Sequence, residues 1–270
     1  MTDLGKTRAF FSTHPSHLPT YLPYQHSKPP PQNDHHHHHH PPTPLPSIQL
    51  HTYFRSSCSA RLRIALHLKS LPYTSIPINL LANEQHSPKN TSLNPSATVP
   101  TLILTYPSPT QPTTITIPQS LSALEYLEET LPSSCPALLP PRSSPHLRAT
   151  VRTLAYIIAV DIQPVTNLRI LKRVAPLGMD RETWSRELIE EGLRAYETIA
   201  ASSAGRFSVG DSVTLADVCL LPAVWGAERV GVDLGMFPTV ERVRGELEGL
   251  GAVREAHWRA QGDTPGEFRV

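Results

Sequence analysis

The stretch SIQLHTYFRSSCSARLRIAL, residues 47–66, contains a strand, a turn and the start of a helix. Apolar side chains alternate with polar ones over residues 47–54, which predicts a strand. From Leu62 onwards, Ala65 and Leu66 follow at the i, i+3 and i+4 spacing of an amphipathic helix. A second strand is predicted within residues 73–81, so this region forms a β-α-β unit with a right-handed connection.

The chain continues with two more strands and a helix. Pro100 begins an apolar run that predicts a strand. At the first position of a strand, the N–H that proline lacks is not needed for pairing in the sheet. TTITI (113–117) predicts the next strand, and PQSLSALEYLEETLP predicts a helix. The order β-α-β-β-β-α therefore defines a small α/β domain over residues 47–131.

The remaining chain is predicted to be helical. Residues 132–145 are rich in Pro and Ser and break every period, which indicates a linker. Beyond it, residues 146–270 carry helical periodicity without a comparable strand signal, which predicts an all-α domain. Its expected helical segments are 146–171, 180–201, 214–230 and 239–259.

The first 46 residues have a different composition, with ten of the 29 prolines and nine of the 14 histidines. Such a segment buries too little apolar surface to offset its ordering entropy, so it is predicted to be a disordered leader. The run His35 to His40 is either a natural low-complexity tract or a tag, and it is left out of the fold.

Composition limits the classes of partner. The 24 Lys and Arg residues balance 23 Asp and Glu residues, so no charge excess indicates nucleic acid. No apolar run approaches the roughly 20 residues that span a bilayer. Three cysteines, an odd number without metal-ligand spacing, predict neither a disulfide framework nor a metal site. A cytoplasmic location is expected, with weak mitochondrial-presequence character in residues 6–14.

The serines before the first helix allow two interpretations. Ser57 or Ser59 could simply cap the helix, with Cys58 packed as a small hydrophobe. Alternatively, the free N–H groups and positive dipole of the helix start could stabilise a thiolate, either that of Cys58 or that of a ligand. Hydroxyls at Ser56 and Ser57 would then donate to that anion.

A second helix start raises the same question. Gln119 and Ser120 precede free backbone N–H groups, which are a natural seat for a carboxylate, although a capping serine is the simpler interpretation. Both helix starts follow strands of one small sheet, where ligands collect. By contrast, Thr214 and Asp217 form a capping box and are interpreted as structural.

Taken together, these stretches resemble the zeta class of the glutathione transferase superfamily. The resemblance lies in YFRSSCSARLRIAL, PINLL, LNPSATVPTL, ITIPQSLSALEYLEE, IQPVTNLRILKRV and VGDSVTLADVCLLPAVWGAERVGVDL, and it extends from Ile48 to the C-terminus. It implies a thioredoxin-like N-terminal domain, a C-terminal helical bundle, glutathione as cofactor and a homodimer.

The resemblance also implies roles for individual residues. Pro100 is expected to follow a cis bond, so that the Val99 backbone pairs with glutathione while Gln119 and Ser120 take its γ-glutamyl carboxylate. Ser57 would be the main donor to the thiolate, with Ser56 and Cys58 beside it. Further residues expected to approach glutathione or substrate are Gln85, Gln163, Asn167, Leu168 and Arg169.

The implied activity is glutathione-dependent cis–trans isomerisation of maleylacetoacetate to fumarylacetoacetate, in phenylalanine and tyrosine breakdown. This dicarboxylate needs cationic partners, for which Arg55, Arg169 and Arg229 are the candidates, because guanidinium groups fit carboxylates. Alternatives are a general glutathione transferase or α-halo-acid dehalogenase, and a non-catalytic binding module of the same fold.

Three features depart from the family pattern. Ala60 stands where the family usually carries tryptophan, which predicts a wider pocket. The segment SAT (96–98) lacks the usual Gln, and TYPSPTQPTT lengthens a hairpin. These departures affect affinity more than chemistry, since none removes a group expected to contact the sulfur.

Replacing Ser57 by Ala is expected to remove most isomerase activity, because one well-placed donor to a developing anion contributes on the order of 3 kcal/mol. Cys58→Ala is the matched control and is expected to retain substantial activity. Turnover of both variants at saturating glutathione measures the difference. Comparable losses in the two variants would reject Ser57 as the principal donor.

Overall fold

The N-terminal half contains one sheet and three helices. A computed structural model describes residues 45–131 and 135–269 of the chain. The elements of this half are β1 (Ser47–Thr52), α1 (Ser57–Leu68), β2 (Thr74–Pro77), α2 (Pro88–Leu93), β3 (Thr101–Tyr106), β4 (Thr113–Pro118) and α3 (Ser120–Thr130). The sheet order is β2-β1-β3-β4, with β1 and β2 parallel and the other pairs antiparallel. This arrangement confirms the predicted β-α-β-β-β-α domain.

Helix α2 is absent from the sequence prediction. It is six residues long, with the Ser87 side chain accepting the N–H of Asn90 and Pro88 at its first position. So short a helix shows no apolar period that would predict it. Strand β2 is likewise shorter than the predicted run of 73–81.

The C-terminal half is helical, as predicted. Its elements are α4 (Pro145–Tyr156), a π-helical segment (Ile157–Ile162), α5 (Gln163–Thr166), α6 (Leu168–Val174), α7 (Arg181–Ala200), α8 (Leu215–Arg229), α9 (Pro238–Glu248) and α10 (Gly251–Ala256). The helix expected over residues 146–171 is therefore interrupted twice, at the π-helical segment and at Asn167, whose extended backbone and capping side chain start α6.

Helix α1 lies at the centre of the fold. Every residue from Ser59 to Leu66 is buried, because α1 contacts α3, α8 and α10 as well as lying beside the sheet. A helix that is buried on all sides is a core helix rather than a surface amphipathic one. Two arginines, Arg61 and Arg63, consequently lie in the interior.

The hydrophobic core is continuous between the two halves. One cluster of buried residues includes Leu50 and Leu102 of the sheet and Leu220 of α8. The segment between the halves contributes Leu138 and Leu139 to this core, so its described part, residues 135–144, is packed against the protein. The predicted domain boundaries of 47–131, 132–145 and 146–270 stay predictions.

Two segments named in the sequence prediction lie largely or partly outside the described residues. Apart from its last two residues, the leader that the sequence predicts lies outside the described residues, as do residues 132–134 of the predicted linker. Within the described residues, no single helix is long and apolar enough to cross a bilayer. One pair of helical segments has the length and apolar composition of a membrane span when the two are taken together, with a 40° bend between them. These segments are Pro145–Thr166 and Leu168–Leu177.

Arg63 connects the loop after β1 to the C-terminal helices. Its guanidinium donates to the carbonyls of Tyr53 (3.3 Å), Phe54 (3.0 Å) and Ala256 (3.1 Å), and to the Thr52 hydroxyl (3.0 Å). Burial lowers the pKa of Arg63 to about 10, so the group stays protonated at neutral pH. The loop between β1 and α1 is therefore held from inside.

Arg63→Leu is expected to lower the free energy of unfolding by at least about 3 kcal/mol, because several buried acceptors lose their donor. Urea denaturation measures this change. The exposed Arg142→Leu is the control and is expected to change stability by less than about 0.5 kcal/mol. Equal stabilities of the two variants would contradict a structural role for Arg63.

Candidate functional site

A cavity of about 420 Å³ lies where the start of α1 meets the helical half. Three of its described lining residues are arginines and none is acidic. The complete set of described lining residues is Tyr53, Arg55, Ser56, Ser57, Arg61, Leu80, Ile162, Gln163, Thr166, Asn167, Leu168, Leu171, Ser185, Ile189, Pro222, Ala223, Gly226, Arg229 and Val230. Its charge makes the cavity a site for anions.

The start of α1 is capped by Ser56. Its Oγ accepts the backbone N–H of Ser59 at 3.2 Å, which is the position expected of an N-cap. The interpretation of Ser57 or Ser59 as the cap is therefore wrong. Ser57 is the first helical residue and lines the cavity, and its hydroxyl has no hydrogen-bond partner among the described residues. This hydroxyl and the helix N-terminus are positioned to receive an anion.

Cys58 and Ala60 are not among the described residues that line the cavity. Cys58 is half-buried, and Ala60 packs in the hydrophobic core with 2% of its surface exposed. The alanine therefore does not widen the cavity by direct contact. Cys219, the cysteine on α8, is fully buried, and this burial raises its pKa to about 11.

Arg61 connects the cavity to the start of α3. Its Nη1 donates to Ser120 Oγ at 3.1 Å, while its Nε and Nη2 are buried without a partner among the described residues. Only 2% of Arg61 is exposed. Gln119, which precedes Ser120, has a φ of 91°, a strained value for a residue with a side chain, and neither residue is in the described lining of the cavity. Strain at Gln119 and two buried Arg61 nitrogens without a partner among the described residues together indicate a binding site.

Arg55 and Arg229 form a cationic pair on the cavity wall. The Arg229 side chain is solvent-exposed within the cavity, yet the protein atoms around it desolvate the guanidinium and, with the charge of Arg55, lower its pKa to about 10. Arg229 Nη1 also donates to the Trp225 carbonyl at 3.0 Å. Arg169, by contrast, is exposed on α6 and is not among the described lining residues.

The π-helical segment and α5 bring Gln163, Asn167 and Leu168 to the cavity. The Asn167 side chain is already engaged, since Oδ1 accepts the N–H of Ile170 at 3.1 Å and Nδ2 donates to the Pro164 carbonyl at 2.9 Å. Asn167 therefore shapes this wall by starting α6, and the second N–H of its amide can still donate to a ligand while that cap is kept.

Val99, Pro100 and Gln85 lie outside the described lining of the cavity. The bond between Val99 and Pro100 is cis, which confirms the prediction. Among the described residues, neither backbone group of Val99 has a hydrogen-bond partner, and Gln85 Oε1 is buried without one. These unpaired groups are compatible with a peptide-like ligand beside the sheet.

Tyr53 and Arg61 are among the twelve described lining residues that the sequence prediction missed. The Tyr53 hydroxyl is buried without a partner among the described residues, and this burial raises its pKa. In the sequence, each of these two residues is only a polar group within an apolar run. The same pattern arises when a surface side chain packs its apolar part on the protein and keeps its polar end in water, so it does not identify a binding residue.

The chain is similar to known glutathione transferases. The family profile for the N-terminal domain of glutathione S-transferases matches residues 55–130. A curated relative, maleylacetoacetate isomerase of Aspergillus fumigatus, is 67% identical over 225 residues, which cover 83% of this chain and 96% of the relative.

Solved structures give the same result. A maleyl pyruvate isomerase, described as a bacterial zeta-class glutathione S-transferase, is 37% identical with a TM-score of 0.71, covering 80% of this chain and all (100%) of that one. A maleylacetoacetate isomerase of Anaeromyxobacter dehalogenans, with dicarboxyethyl glutathione and citrate in its active site, is 36% identical with a TM-score of 0.72. That match covers 83% of this chain and 97% of the other.

Gly192→Ala is expected to destabilise the protein by about 1–3 kcal/mol, because a Cβ on this α7 residue would overlap the Ile162 side chain in the cavity wall. Thermal unfolding measures the loss, and a crystal structure of the variant should show Ile162 displaced.

The control is Gly245→Ala in α9, where a Cβ meets nothing within 4 Å. There the substitution is expected to stabilise the helix by about 0.5–1 kcal/mol. A stabilising effect at both glycines would show that the contact between α7 and Ile162 is loose.

Proposed function

The chain belongs to the zeta class of the glutathione transferases, and we propose on this basis that it is a glutathione-dependent cis–trans isomerase. In this proposal it converts maleylacetoacetate, the substrate in its relatives' names, to fumarylacetoacetate and acts in phenylalanine and tyrosine breakdown. The observation that carries the proposal is a cavity with three arginines and no acidic residue in its described lining, at the start of α1. It suits an anionic thiol and a dicarboxylate together.

The groups near the start of α3 fit the γ-glutamyl end of glutathione. Because Ser120 Oγ accepts from Arg61, its own proton is free to point away and donate to a carboxylate. The free N–H groups of α3 and the charge of Arg61 favour the same anion. Gln119, whose backbone is strained, would complete this subsite.

The middle and glycyl end of glutathione would lie along the sheet. Val99, whose backbone groups have no partner in the described part of the chain, would bond to the cysteinyl backbone as one strand edge pairs with another. Gln85 and Gln163 would approach from either side, and Pro100 would fix the direction of the Val99 carbonyl.

When bound, glutathione supplies a thiolate that adds reversibly to the cis double bond, so that the resulting single bond can rotate. Ser57 donates to this sulfur, and the N-terminus of α1 keeps it ionised, as helix N-termini lower thiol pKa values from about 8.5 to roughly 3.5–7.5. Ser56 holds that helix start in place through its cap. Cys58 lies beside the site rather than in its described lining.

Arg55 and Arg229 would bind the two carboxylates of the substrate. Two guanidinium groups facing one cavity repel each other, and a dianion between them removes that repulsion. Desolvation by the surrounding protein atoms, followed by the charge of Arg55, lowers the pKa of Arg229. Arg169 is not among the described residues that line the cavity, so we assign it no carboxylate.

We further propose that the enzyme is a cytosolic homodimer. Tyr156 and Val160, which are four residues apart where α4 continues into the π-helical segment, are 46% and 59% exposed. Exposed apolar side chains that lie close together are typical of a protein–protein interface, here one between two copies of this chain. Cys58, Cys135 and Cys219 are free thiols, as in a reducing compartment.

The purified chain is expected to isomerise maleylacetoacetate only when glutathione is present, in an assay coupled to hydrolysis of fumarylacetoacetate. In Arg229→Gln, KM for the substrate should rise about tenfold or more, because a charge-assisted hydrogen bond is lost. Arg169→Gln is the matched control and should change KM less than about twofold.

Two outcomes would contradict the proposal at different points. An unchanged rate without glutathione rejects the cofactor role. Equal effects of the Arg169 and Arg229 substitutions reject the carboxylate clamp while leaving the reaction itself in place.

A further inference from the structure

The C-terminal segment, residues 257–269, contacts the loop that leads into α1. Asp263 Oδ2 accepts the backbone N–H of Phe54 at 2.8 Å, although the two residues are 209 positions apart in the chain. Only 4% of Phe54 is exposed, so the Asp263 carboxylate takes the place of water at this N–H. A hydrogen bond to an ionised carboxylate is stronger than one between neutral groups.

The Phe54 side chain belongs to a small hydrophobic cluster. Its buried members are Tyr53, Phe54 and Val99, with Ile78, Leu80 and Trp258 packed against them. The Trp258 ring, from the C-terminal segment, has its centre 6.4 Å from that of the Phe54 ring. Tyr53 and Leu80 also line the cavity at the start of α1. The C-terminal segment therefore packs against residues that form the wall of this cavity.

The turn that carries Asp263 is itself held by hydrogen bonds. Arg269 donates to the carbonyls of both neighbours of Asp263, with Nη2 2.8 Å from the oxygen of Gly262 and Nε 2.9 Å from that of Thr264. The Thr264 hydroxyl is bound to the Trp258 carbonyl at 2.6 Å. These contacts fix the direction in which the Asp263 carboxylate points.

Both backbone polar groups of Phe54 are engaged by distant side chains. Asp263 accepts its N–H, and Arg63 Nη2 donates to its carbonyl at 3.0 Å. Two residues further on, Ser56 caps α1, and Ser57 is the first residue of that helix. Because so few bonds separate Phe54 from Ser57, a shift of the Phe54 backbone would move the start of α1.

We propose that Asp263 is a positioning residue for the thiolate site, an inference that rests on the proposed function. It holds the start of α1 where Ser57 and the free N–H groups of the helix meet the glutathione sulfur. Asp263 is not in the described lining of the cavity, so it acts through the Phe54 backbone. Stabilisation of an anion depends on donors that are already in place, and a misplacement of about 1 Å can lose on the order of 100-fold in rate.

Comparison of Asp263→Ala with Asp263→Asn tests this role. Both substitutions remove the negative charge, but only asparagine keeps an oxygen that can accept the Phe54 N–H. The other charged groups near the sulfur, Arg55, Arg61 and Arg229, are the same in both variants. Their difference therefore measures the hydrogen bond alone.

The measured quantity is the acid dissociation constant of the thiol of bound glutathione, from the ultraviolet absorbance of its thiolate against pH without substrate. It is expected to be at least about tenfold smaller in Asp263→Ala than in Asp263→Asn, because a displaced helix start stabilises the thiolate less. Isomerase kcat should fall about tenfold in Asp263→Ala, while Asp263→Asn retains most of the wild-type value.

Two further variants serve as controls. Glu267→Ala removes an exposed carboxylate of the same segment that has no hydrogen bond or ion pair among the described residues, and it should change the thiol constant less than about twofold. Arg269→Gln loosens the turn but keeps the Asp263 carboxylate. It should lower the constant in the same direction as Asp263→Ala, by a smaller factor.

Equal thiol constants in Asp263→Ala and Asp263→Asn would overturn the inference. If Asp263→Ala does not fold, equal constants in Arg269→Gln and the wild type would overturn it instead. Calorimetric titration should show one glutathione bound per chain in each variant. Failure of the wild-type chain to bind glutathione would reject the proposed function itself, and this inference with it.

Discussion

The structure depends on the buried guanidinium of Arg63. Removing a charge from water costs several kcal/mol, which only a full set of hydrogen bonds offsets. Arg63 finds its acceptors on the loop after β1 and on Ala256 of α10. The hydrogen bonds of this one side chain thus connect the loop before α1, which carries the serines, to the last helices of the chain. They fix the position of Ser57 relative to the helical half.

Residues near the C-terminus also contact the loop before α1. Asp263 accepts the backbone N–H of Phe54 at 2.8 Å, and the Trp258 ring packs 6.4 Å from the Phe54 ring. The loop before α1 is therefore held on both sides by residues some 200 positions away. Because this loop is fixed, the N-terminus of α1 is aimed at one point of the cavity, as electrostatic stabilisation of an anion requires.

Positive charge is the common property of the groups that line the cavity at the start of α1. The start of α1 lines the cavity with Arg55, Arg61 and Arg229, Arg61 also bonds to Ser120 at the start of α3, and the described lining has no acidic residue to neutralise these charges. Each of these groups on its own has an ordinary structural explanation, such as a cap or a snorkelling side chain. Their convergence explains why one cavity suits both a thiolate and a dicarboxylate.

The sequence by itself determined the order of the strands and helices and the two helix starts with their serines, because periodicity and capping are local properties. It did not reveal α2, the π-helical break after Tyr156, or the choice of Ser56 over Ser57 as the cap. Short or irregular elements depend on neighbours distant in the chain. Only the tertiary structure decided that Arg61 is buried against Ser120 and that Arg229, but not Arg169, joins Arg55 in the described lining of the cavity. A side chain's burial and charge partners are set by packing between segments, which local spacing does not encode.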